Sequence, residues 1–151
     1  MKLRNGFTLL EMLVTLTVLL ILASAVIPMA RNGIRREREL ELRRDLREMR
    51  LAIDNYKNQV DQQKIKAPAP ENFGYPESLD KLVEGETLMG KTTKMRFLRR
   101  IPLDPFTGKA EWGLRSITDD PTSTGWGGGN VYDVYSLAPG TGSNDIPYKE
   151  W

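Results

Sequence analysis

Apolar and polar positions divide the chain into an apolar N-terminal run, an amphipathic segment and a polar remainder. Residues 12–30 carry no charged side chain, and this length is close to the roughly 20 residues that a helix needs to cross the hydrocarbon core of a membrane. The pattern predicts a transmembrane helix over residues 7–30. An ordinary secretory signal has a shorter apolar run ending in small residues, and "LASA" at residues 22–25 is the alternative cleavage site of that kind.

The segment 31–66, which we call the stalk, has the pattern of an amphipathic helix. Its apolar residues recur at alternating spacings of four and three, which places them on one helical face. Eight arginines and five acidic residues lie between positions 31 and 50, and we expect a solvated face with Glu–Arg pairs along the helix. The predicted buried positions are Leu42, Leu46, Met49, Ile53, Tyr56 and Val60.

Residues 67–151, which we call the head, have the pattern of a small domain. Prolines and glycines in "KAPAPENFGYP" end the stalk helix, and "PESLDKLVEG" predicts a short helix that stops at Gly85. Strands are expected in "AEWGLRSI" (110–117) and "VYDVYSL" (131–137), with a loop between them. The predicted fold class is therefore α+β, with a long N-terminal helix packed on a small C-terminal antiparallel sheet.

Composition removes most classes of enzyme. The chain has no histidine and no cysteine, so it lacks the commonest general base, the thiolate nucleophile and the usual zinc ligands. A formal net charge of +2 gives no case for nucleic-acid binding. We predict that the chain is not an enzyme. The alternatives are a binding module that uses the "GWGGGN" loop and a membrane-anchored enzyme that uses Asp104, Asp119, Asp120 and Asp133, although most of these aspartates lie in turn contexts.

Glu11 is a charged residue near the start of an otherwise apolar span. A lone carboxylate within a membrane costs roughly 2.5–3.5 kcal/mol on insertion scales, so it calls for a partner. The surrounding "GFTLLEMLVTL", with Gly6, Phe7, Glu11 and the later Pro28, resembles the N-terminal signature of type IV pilins and type II secretion pseudopilins. The resemblance implies a prepilin leader peptide over residues 1–6 and a helix-bending role for Pro28.

The resemblance also implies how these residues act. A prepilin peptidase would cut between Gly6 and Phe7 and N-methylate Phe7. Glu11 would then face the amino group of Phe7 on a neighbouring subunit, so that two charges costly alone become a pair on assembly. Glu11 and Pro28 are thus the expected filament-assembly residues. The alternative for Glu11 is a tolerated carboxylate close enough to the membrane surface to reach water.

The head resembles the major pseudopilin of type II secretion in its "PLDPFTG" turn and in its last strand, "VYDVYSL". Major pilins of surface pili usually carry a C-terminal disulfide loop, so the absence of cysteine favours a pseudopilin over a type IV pilus subunit for adhesion, motility or DNA uptake. The residues that match the family turn are Pro102, Asp104, Pro105 and Phe106, with Thr107 inserted before Gly108.

The same resemblance implies a location and partners. The chain would be a structural subunit of a periplasmic pseudopilus that drives secretion of folded proteins across the outer membrane. It would be anchored by one span in the inner membrane of a Gram-negative bacterium, with its head in the periplasm. Its partners would be copies of itself, minor pseudopilins, the prepilin peptidase, and an inner-membrane assembly platform with its ATPase. Charge bias opposes this topology, because four arginines at 31–38 follow the span and only Lys2 and Arg4 precede it. We let the leader motif, and not the charge bias, decide the orientation.

Calcium is the cofactor that the resemblance implies, because major pseudopilins typically bind it in the loop after the last strand. Here the loop "APGTGSNDIPYKEW" offers Asn144 and Asp145, with Asp133 in reach from the strand, whereas calcium takes about six to eight oxygen ligands. We therefore expect no metal cofactor. The loop is expected to be held by aromatic packing, from Trp112, Trp126, Tyr148 and Trp151.

Overall fold

The computed structural model describes residues 6–24 and 33–151, and it places residues 25–32 within a helix without describing their side chains. The chain divides into two compact units, Met1–Glu37 and Arg38–Trp151, and the helix α1 (Leu9–Asp61) contributes to both. The elements after α1 are the helix α2 (Leu79–Glu84), the strands β1 (Glu86–Thr87), β2 (Lys94–Met95), β3 (Trp112–Arg115) and β4 (Asp133–Ser136), and 3-10 turns at Pro70–Asn72 and Tyr148–Glu150.

In the N-terminal unit, α1 begins after Thr8, which satisfies two of the first free amide groups. The Thr8 hydroxyl accepts a hydrogen bond from the backbone N–H of Glu11 at 3.2 Å, and its carbonyl accepts one from Met12 at 3.1 Å. Further along, the hydroxyls of Thr15 and Thr17 donate to carbonyls about one turn earlier, at 3.0 and 2.7 Å. These polar side chains are therefore satisfied within the helix itself.

The predicted membrane span reaches beyond the part of α1 whose side chains are described. Residues 25–30, including Pro28, lie outside the described side chains, so the bend expected at Pro28 stays a prediction. Within residues 6–24 and 33–151, no helical stretch is both long and apolar enough to cross a membrane.

In the C-terminal unit, α1 packs through the apolar face that the sequence predicts. All six predicted positions between Leu42 and Val60 are buried, and Leu42, Met49 and Ile53 have no exposed surface. They meet apolar residues of α2, β3, β4 and the chain segments between them in one core. Burial raises the pKa of Tyr56 to about 12, because its hydroxyl lies in this apolar setting, and its ring meets Phe97 edge-on at 5.2 Å. The predicted helix face and α+β class are both confirmed.

The helix ends at Asp61, a few residues before the boundary expected at 66. Gln63 adopts a left-handed conformation (φ 55°), its N–H donates to the Val60 carbonyl, and the Lys64 N–H donates to the Gln59 carbonyl. This pair of hydrogen bonds is the Schellman arrangement that satisfies the last free carbonyls of a helix. The stalk therefore stops through its own capping geometry and not through the prolines that follow.

The strands β3 and β4 confirm the predicted antiparallel pair. Trp112 lies opposite Ser136 and Arg115 opposite Asp133. Gly113 lies opposite Tyr135, whose ring covers it so closely that an added Cβ would come within 2.1 Å of the ring. The α2 helix is also confirmed and ends at Gly85, where φ is 75° and a Cβ would lie 2.4 Å from the Met95 carbonyl oxygen.

A second antiparallel pair, β1 with β2, was not predicted. Glu86 pairs with Met95 and Thr87 with Lys94. Each strand has only two residues, and neither is buried, so no alternation of apolar and polar side chains indicates them.

Candidate functional site

The predicted processing site lies in a segment without regular structure ahead of α1. Gly6, Phe7 and Thr8 have no regular structure, all three are exposed, and a Cβ built on Gly6 would have no atom within 4 Å. A peptidase that must bind the backbone in extended form would meet little obstruction here. The structure thus leaves Gly6 and Phe7 accessible, while the leader residues 1–5 lie outside the described part of the chain.

Glu11 is exposed in the first turn of α1. Its side chain makes no ion pair with another described residue. A carboxylate at this end of a helix interacts favourably with the helix dipole, which does not neutralise its charge. Among the residues that the structure describes, Glu11 therefore has no positively charged partner, and its role in assembly stays a prediction.

Asp104 holds the "PLDPFTG" turn and has no exposed surface. Its Oδ1 accepts hydrogen bonds from the backbone N–H groups of Phe106 at 2.8 Å and Thr107 at 3.3 Å, and its Oδ2 accepts one from the Ser136 hydroxyl at 2.5 Å. The Gly108 N–H closes the turn onto the Asp104 carbonyl at 2.7 Å. The carboxylate therefore joins the turn to β4, which is the backbone-binding role expected for an aspartate in this context.

Two further aspartates also bind backbone amides. Asp119 accepts from the N–H groups of Ser116 at 2.7 Å and Gly127 at 3.0 Å, and these bonds lower the pKa of its carboxyl. Asp120 accepts from the N–H of Thr122 at 2.9 Å, which likewise lowers its pKa. These carboxylates organise the loop between β3 and β4, and their low pKa values do not suit general acid catalysis near neutral pH.

Asp133 lies between two arginines, and we call Arg50, Arg115 and Asp133 the C-terminal clamp. The Nε of Arg50 donates to Asp133 Oδ1 at 2.6 Å, and the Nη1 of Arg115 donates to Asp133 Oδ2 at 3.2 Å. Arg50 comes from α1 and Arg115 from β3, so the carboxylate joins the long helix to the sheet. Both oxygens of Asp133 are therefore engaged by positive charge.

The same two guanidinium groups hold four backbone carbonyls. Arg50 donates to Val134 at 3.0 Å and Trp151 at 2.6 Å. Arg115 donates to Ser123 at 2.9 Å and Lys149 at 2.8 Å. Because the planar guanidinium offers several donors in a fixed fork, each arginine can tie together chain segments that are distant in sequence. The clamp thus fixes the C-terminal segment against α1 and the sheet.

The clamp leaves few oxygen ligands available for a calcium ion. Asp133 is neutralised by two arginines, and Asn144 Oδ1 accepts the N–H of Ile146 at 3.3 Å. Asp145 is exposed in a left-handed turn with φ 61°. The described residues contain no group of three or more His, Cys, Asp or Glu side chains that could hold a metal ion. The three candidate ligands therefore do not form a donor set that fits calcium.

A buried carboxylate of α1 also binds the C-terminal segment. Glu39 of α1 accepts hydrogen bonds from the Ser143 N–H at 2.9 Å, the Ser143 hydroxyl at 2.5 Å and the Tyr148 hydroxyl at 3.1 Å. Tyr148 packs against Phe106 and Trp151 at ring distances of 4.4 and 5.1 Å. Tyr148 and Trp151 thus pack as expected.

Trp126 does not belong to this packing, although it was expected to. It is 46% exposed, and its indole N–H donates to the Asn130 carbonyl at 2.9 Å within the loop between β3 and β4. Glycines on both sides of Trp126 let this loop close on itself, so its indole has no need of the C-terminal segment.

One of the contacts that fix the C-terminal segment could have been predicted from the sequence. Glu39 lies three residues before Leu42, in register with the buried apolar positions of α1, so a charge at that place predicts a buried partner. Arg50 and Arg115 carry no such signal. Their partners lie in segments that only the tertiary fold brings together.

The expected Glu–Arg pairs along the stalk are not formed by its central charged residues. Glu41, Arg43, Asp45, Arg47 and Glu48 make no ion pair with another described residue. Their spacing does not forbid pairing, because Arg44 lies three residues after Glu41 and four before Glu48. These side chains are mostly exposed, where an ion pair gains little over solvation by water.

Comparison with known proteins adds independent information. The family model described as "Prokaryotic N-terminal methylation motif" matches residues 1–27. The "Type II secretion system core protein G" of Pseudomonas aeruginosa is 26% identical over 158 residues, which cover 98% of this chain and 95% of that protein. The protein of the same name from Escherichia coli K12 is 28% identical over 142 residues, covering 90% and 82%. No solved structure matches the chain.

Proposed function

We infer that this chain, which belongs to the type II secretion pseudopilins of the type IV pilin-like family, is a structural subunit of the pseudopilus that drives protein secretion. The observation that carries this conclusion is the similarity to core protein G along almost the whole chain, which includes the head as well as the N-terminal methylation motif. The clamp and the turn at Asp104 fit a structural role, because their polar groups bind protein backbone.

We propose that the subunit is processed and anchored as its N-terminal motif suggests. A prepilin peptidase removes residues 1–6 and methylates the amine of Phe7, and residues 7–30 hold the subunit in the inner membrane with the head in the periplasm. The exposure of Gly6 and Phe7 and the lack of regular structure there support this proposal. Copies of the subunit then polymerise together with minor pseudopilins on an inner-membrane platform driven by its ATPase.

We also propose that Glu11 pairs with the Phe7 amine of a neighbouring subunit. The support is that Glu11 is exposed and makes no ion pair with another described residue. A charge pair formed within the membrane removes a cost that each charge bears alone. Subunits would therefore gain free energy by entering the filament in the register that brings the two groups together.

The head is proposed to do without calcium. Major pseudopilins are expected to use a metal ion to fix the loop after their last strand, and in this chain the clamp ties down the same loop with two guanidinium groups. A cation held by carboxylate and backbone carbonyl oxygens is common to both solutions. Here the cation is part of the chain.

The test of the proposed function is a strain that lacks this chain, compared with its parent. We expect particular exoproteins to disappear from the medium and to accumulate in the periplasm, while surface filaments remain. Complementation by the intact gene should restore secretion. Loss of surface filaments with secretion intact would instead make the chain a type IV pilus subunit, and no defect in either would contradict both functions.

A further inference from the structure

The strands β1 and β2 form a hairpin whose tip is a tight turn. The N–H of Leu88 donates to the Thr93 carbonyl at 3.1 Å, and the N–H of Lys91 donates to the Leu88 carbonyl at 3.0 Å. Gly90, the third residue of this four-residue turn, has φ 73°, a value that glycine adopts without steric cost. The hairpin therefore has a defined tip, which consists of residues 88–91.

The hairpin is fixed to the segment that follows α1. The Met89 N–H donates to the Lys64 carbonyl at 2.8 Å, and Leu88 pairs with Ile65 in an isolated antiparallel bridge. Ile65 is 2% exposed and belongs to the core, so it holds this part of the hairpin against the head. The tip is thus presented in a fixed position, which lowers the entropy cost of binding.

A groove with apolar and basic walls lies beside the tip, and we call it the tip groove. It has a volume of about 470 Å³ and lies between the hairpin and the end of α1. Met89 and Met95 line it and leave 62% and 36% of their surfaces exposed. Its charged lining residues are Lys64 and Lys91, and none of the described carboxylates lines it. The tip groove therefore combines adaptable apolar side chains with positive charge.

The sequence around the tip carries one sign of charge. Residues 87–103 contain five basic residues and no acidic residue. All five side chains are exposed, and none makes an ion pair with another described residue. Salt bridges among the described residues therefore leave this positive charge available. The five basic residues are Lys91, Lys94, Arg96, Arg99 and Arg100.

The carboxylate on the hairpin itself lines a different groove. Glu86 of β1 lies opposite Met95, but it does not line the tip groove. It lines a second groove, in which two acidic and two basic side chains balance each other. Its charged neighbours there are Glu77, Lys66 and Lys81.

The two helices beside the hairpin do not neutralise the tip either. Asp61, at the end of α1, pairs with Lys57. Asp80 and Glu84 of α2 are exposed, and neither lines the tip groove. The tip groove therefore keeps a net positive charge when the acidic residues of the neighbouring elements are counted.

We propose that the tip of the hairpin binds a lipid surface that carries anionic phospholipids. Their phosphate groups supply negative charge to Lys64, Lys91 and Lys94, and the boundary between headgroups and acyl chains accepts the exposed Met89. A protein partner would need both acidic side chains and a cavity for Met89, whereas any bilayer of this composition offers both features. The inference rests on the proposed function, because a head in the periplasm lies between two membranes.

The contact is expected to be weak and reversible. Each basic side chain near an anionic surface contributes modestly, and one methionine adds a small apolar contribution. Such a contact would hold a subunit that is waiting to assemble, and a stronger protein contact would displace it. The attraction acts only within about 8–10 Å at physiological salt, so the tip binds only when it meets the surface closely.

Vesicle flotation tests the proposal with the full-length chain. The chain is held in a nanodisc of phosphatidylcholine, which takes up the apolar N-terminal segment and leaves the head to bind. Vesicles that contain phosphatidylglycerol are expected to carry the nanodisc to the top of a density gradient, whereas vesicles of phosphatidylcholine alone are not. Binding should be lost as sodium chloride is raised to about 0.5 M, because salt screens the attraction. Equal flotation with both kinds of vesicle, or none with either, would overturn the proposal.

Neutralisation of three lysines identifies the site. The variant Lys64→Gln, Lys91→Gln and Lys94→Gln should lower the affinity for phosphatidylglycerol vesicles at least about tenfold. All three side chains are exposed and make no hydrogen bond or ion pair with a described residue, so folding should be preserved, which circular dichroism checks.

The matched control removes the same charge from exposed residues outside the hairpin. The variant Arg44→Gln, Arg47→Gln and Lys149→Gln should float like the natural chain. An equal loss of binding in the two triple variants would show that net charge alone draws the head to the vesicle, and it would contradict a site at the tip.

A fluorescent label reports whether the tip enters the lipid. The natural chain has no cysteine, so Met89→Cys carries an environment-sensitive fluorophore at one defined place. Its emission should shift to the blue on phosphatidylglycerol vesicles, while a label on Leu103→Cys, at a residue that is 61% exposed in another turn, should not shift. Equal shifts at both positions would argue against the tip as the point of contact.

Polyglutamate and inorganic phosphate distinguish lipid from other anions. Neither offers an apolar phase, so neither should shift the emission of the label at position 89, and phosphate should displace vesicles no better than sodium chloride of equal ionic strength. A blue shift with polyglutamate and none with vesicles would assign the tip to an acidic protein and overturn the proposal. These measurements use the purified chain, so their failure leaves the proposed function to be decided by the deletion strain.

Discussion

At the scale of single residues, the head is organised by buried polar side chains whose partners are backbone groups and polar side chains of other segments. Glu39, Asp104 and Arg115 are all at least nine-tenths buried, and each makes three hydrogen bonds or more. A buried charge costs much less when its hydrogen-bonding capacity is filled. These residues therefore fix the positions of loops that an apolar core of this size leaves undetermined.

Arg115 is expected to be the most sensitive member of the clamp. Arg115→Met leaves the carbonyls of Ser123 and Lys149 without their donor and removes one of the two charges on Asp133. We expect a loss of about 2–4 kcal/mol in the free energy of unfolding, measured by urea titration of the purified chain. The exposed Arg99→Met is the control, and equal stability of the two variants would contradict the role of the clamp.

Asp119 should make stability depend on pH in the acidic range. Its backbone hydrogen bonds lower the pKa of the folded-state carboxyl below the unfolded value of about 3.9, so its contribution is present above that value and is lost as pH falls through the folded-state pKa. Asp119→Asn should therefore lower the melting temperature at pH 7, and the difference should shrink as the pH is lowered below about 4.

The control for this measurement is Asp54→Asn, which changes an exposed carboxylate that makes no hydrogen bond with a described residue. A difference between Asp119→Asn and the natural chain that stayed constant from pH 7 to pH 3 would show that the loop does not depend on the charge.

At the scale of elements, the sheet depends on the absence of a side chain at one position. Tyr135 of β4 lies across Gly113 of β3, and the Arg115 guanidinium lies 4.2 Å from the centre of the same ring. The Tyr135 hydroxyl donates to the Thr124 carbonyl at 2.9 Å, which anchors the loop between the strands. One aromatic side chain thus joins both strands, the clamp and the loop.

Gly113→Val should therefore destabilise the head although valine favours strands. The new side chain would occupy the space of the Tyr135 ring, and we expect a loss of at least about 2 kcal/mol, since overpacking displaces well-ordered neighbours. Urea unfolding measures it, with Gly125→Val as the control because the nearest atom to a Cβ there is 3.9 Å away. A variant as stable as the control would show that Tyr135 can move without cost.

The C-terminal segment should be insensitive to chelators. The clamp and the bonds to Glu39 hold it with side chains of the chain itself, so EDTA should leave the melting temperature of the purified protein unchanged, and added calcium should not raise it. A fall in melting temperature on chelation that calcium reverses would show that the segment is held by metal after all.

The longer secondary-structure elements could be predicted from the sequence, whereas the short strands and the tertiary contacts could not. The stripe from Leu42 to Val60 and the strands around Trp112 and Val134 were predictable, because burial repeats with the period of each structure. The strands β1 and β2 were not, since each has only two residues, neither of them buried, and so shows no period. Arg50 and Arg115 were missed for another reason, as an arginine in an amphipathic pattern gives no indication that its partners lie far along the chain.

At the scale of the whole molecule, some charged side chains have no ion pair among the described residues of the single subunit. Glu11 makes none at the start of α1, and Glu41, Arg43, Asp45, Arg47 and Glu48 make none in the stalk. In the proposed filament, a neighbouring subunit supplies the partner of Glu11.

Glu11→Ala is expected to separate insertion from assembly. Removal of a carboxylate makes the apolar segment more favourable in a membrane, so the amount of membrane-bound subunit should be unchanged or higher. Pseudopilus formation should fall, because the Phe7 amine of the neighbour would lose its partner. Fractionation and secretion assays measure the two effects, and normal secretion by this variant would argue against the charge pair.

The hydrogen bonds that fix the C-terminal segment also determine when the head can finish folding. Arg50 reaches Asp133 and Trp151 across 83 and 101 positions, and Glu39 reaches Ser143 across 104. Contacts so distant in sequence form late, after the entropy of closing a long loop has been overcome. The hydrogen bonds that Glu39 makes with Ser143 and that Arg50 makes with Trp151 can therefore form only after residues 143–151 have been synthesised. The head is thus completed late in folding, by a segment that returns to α1 from far along the chain.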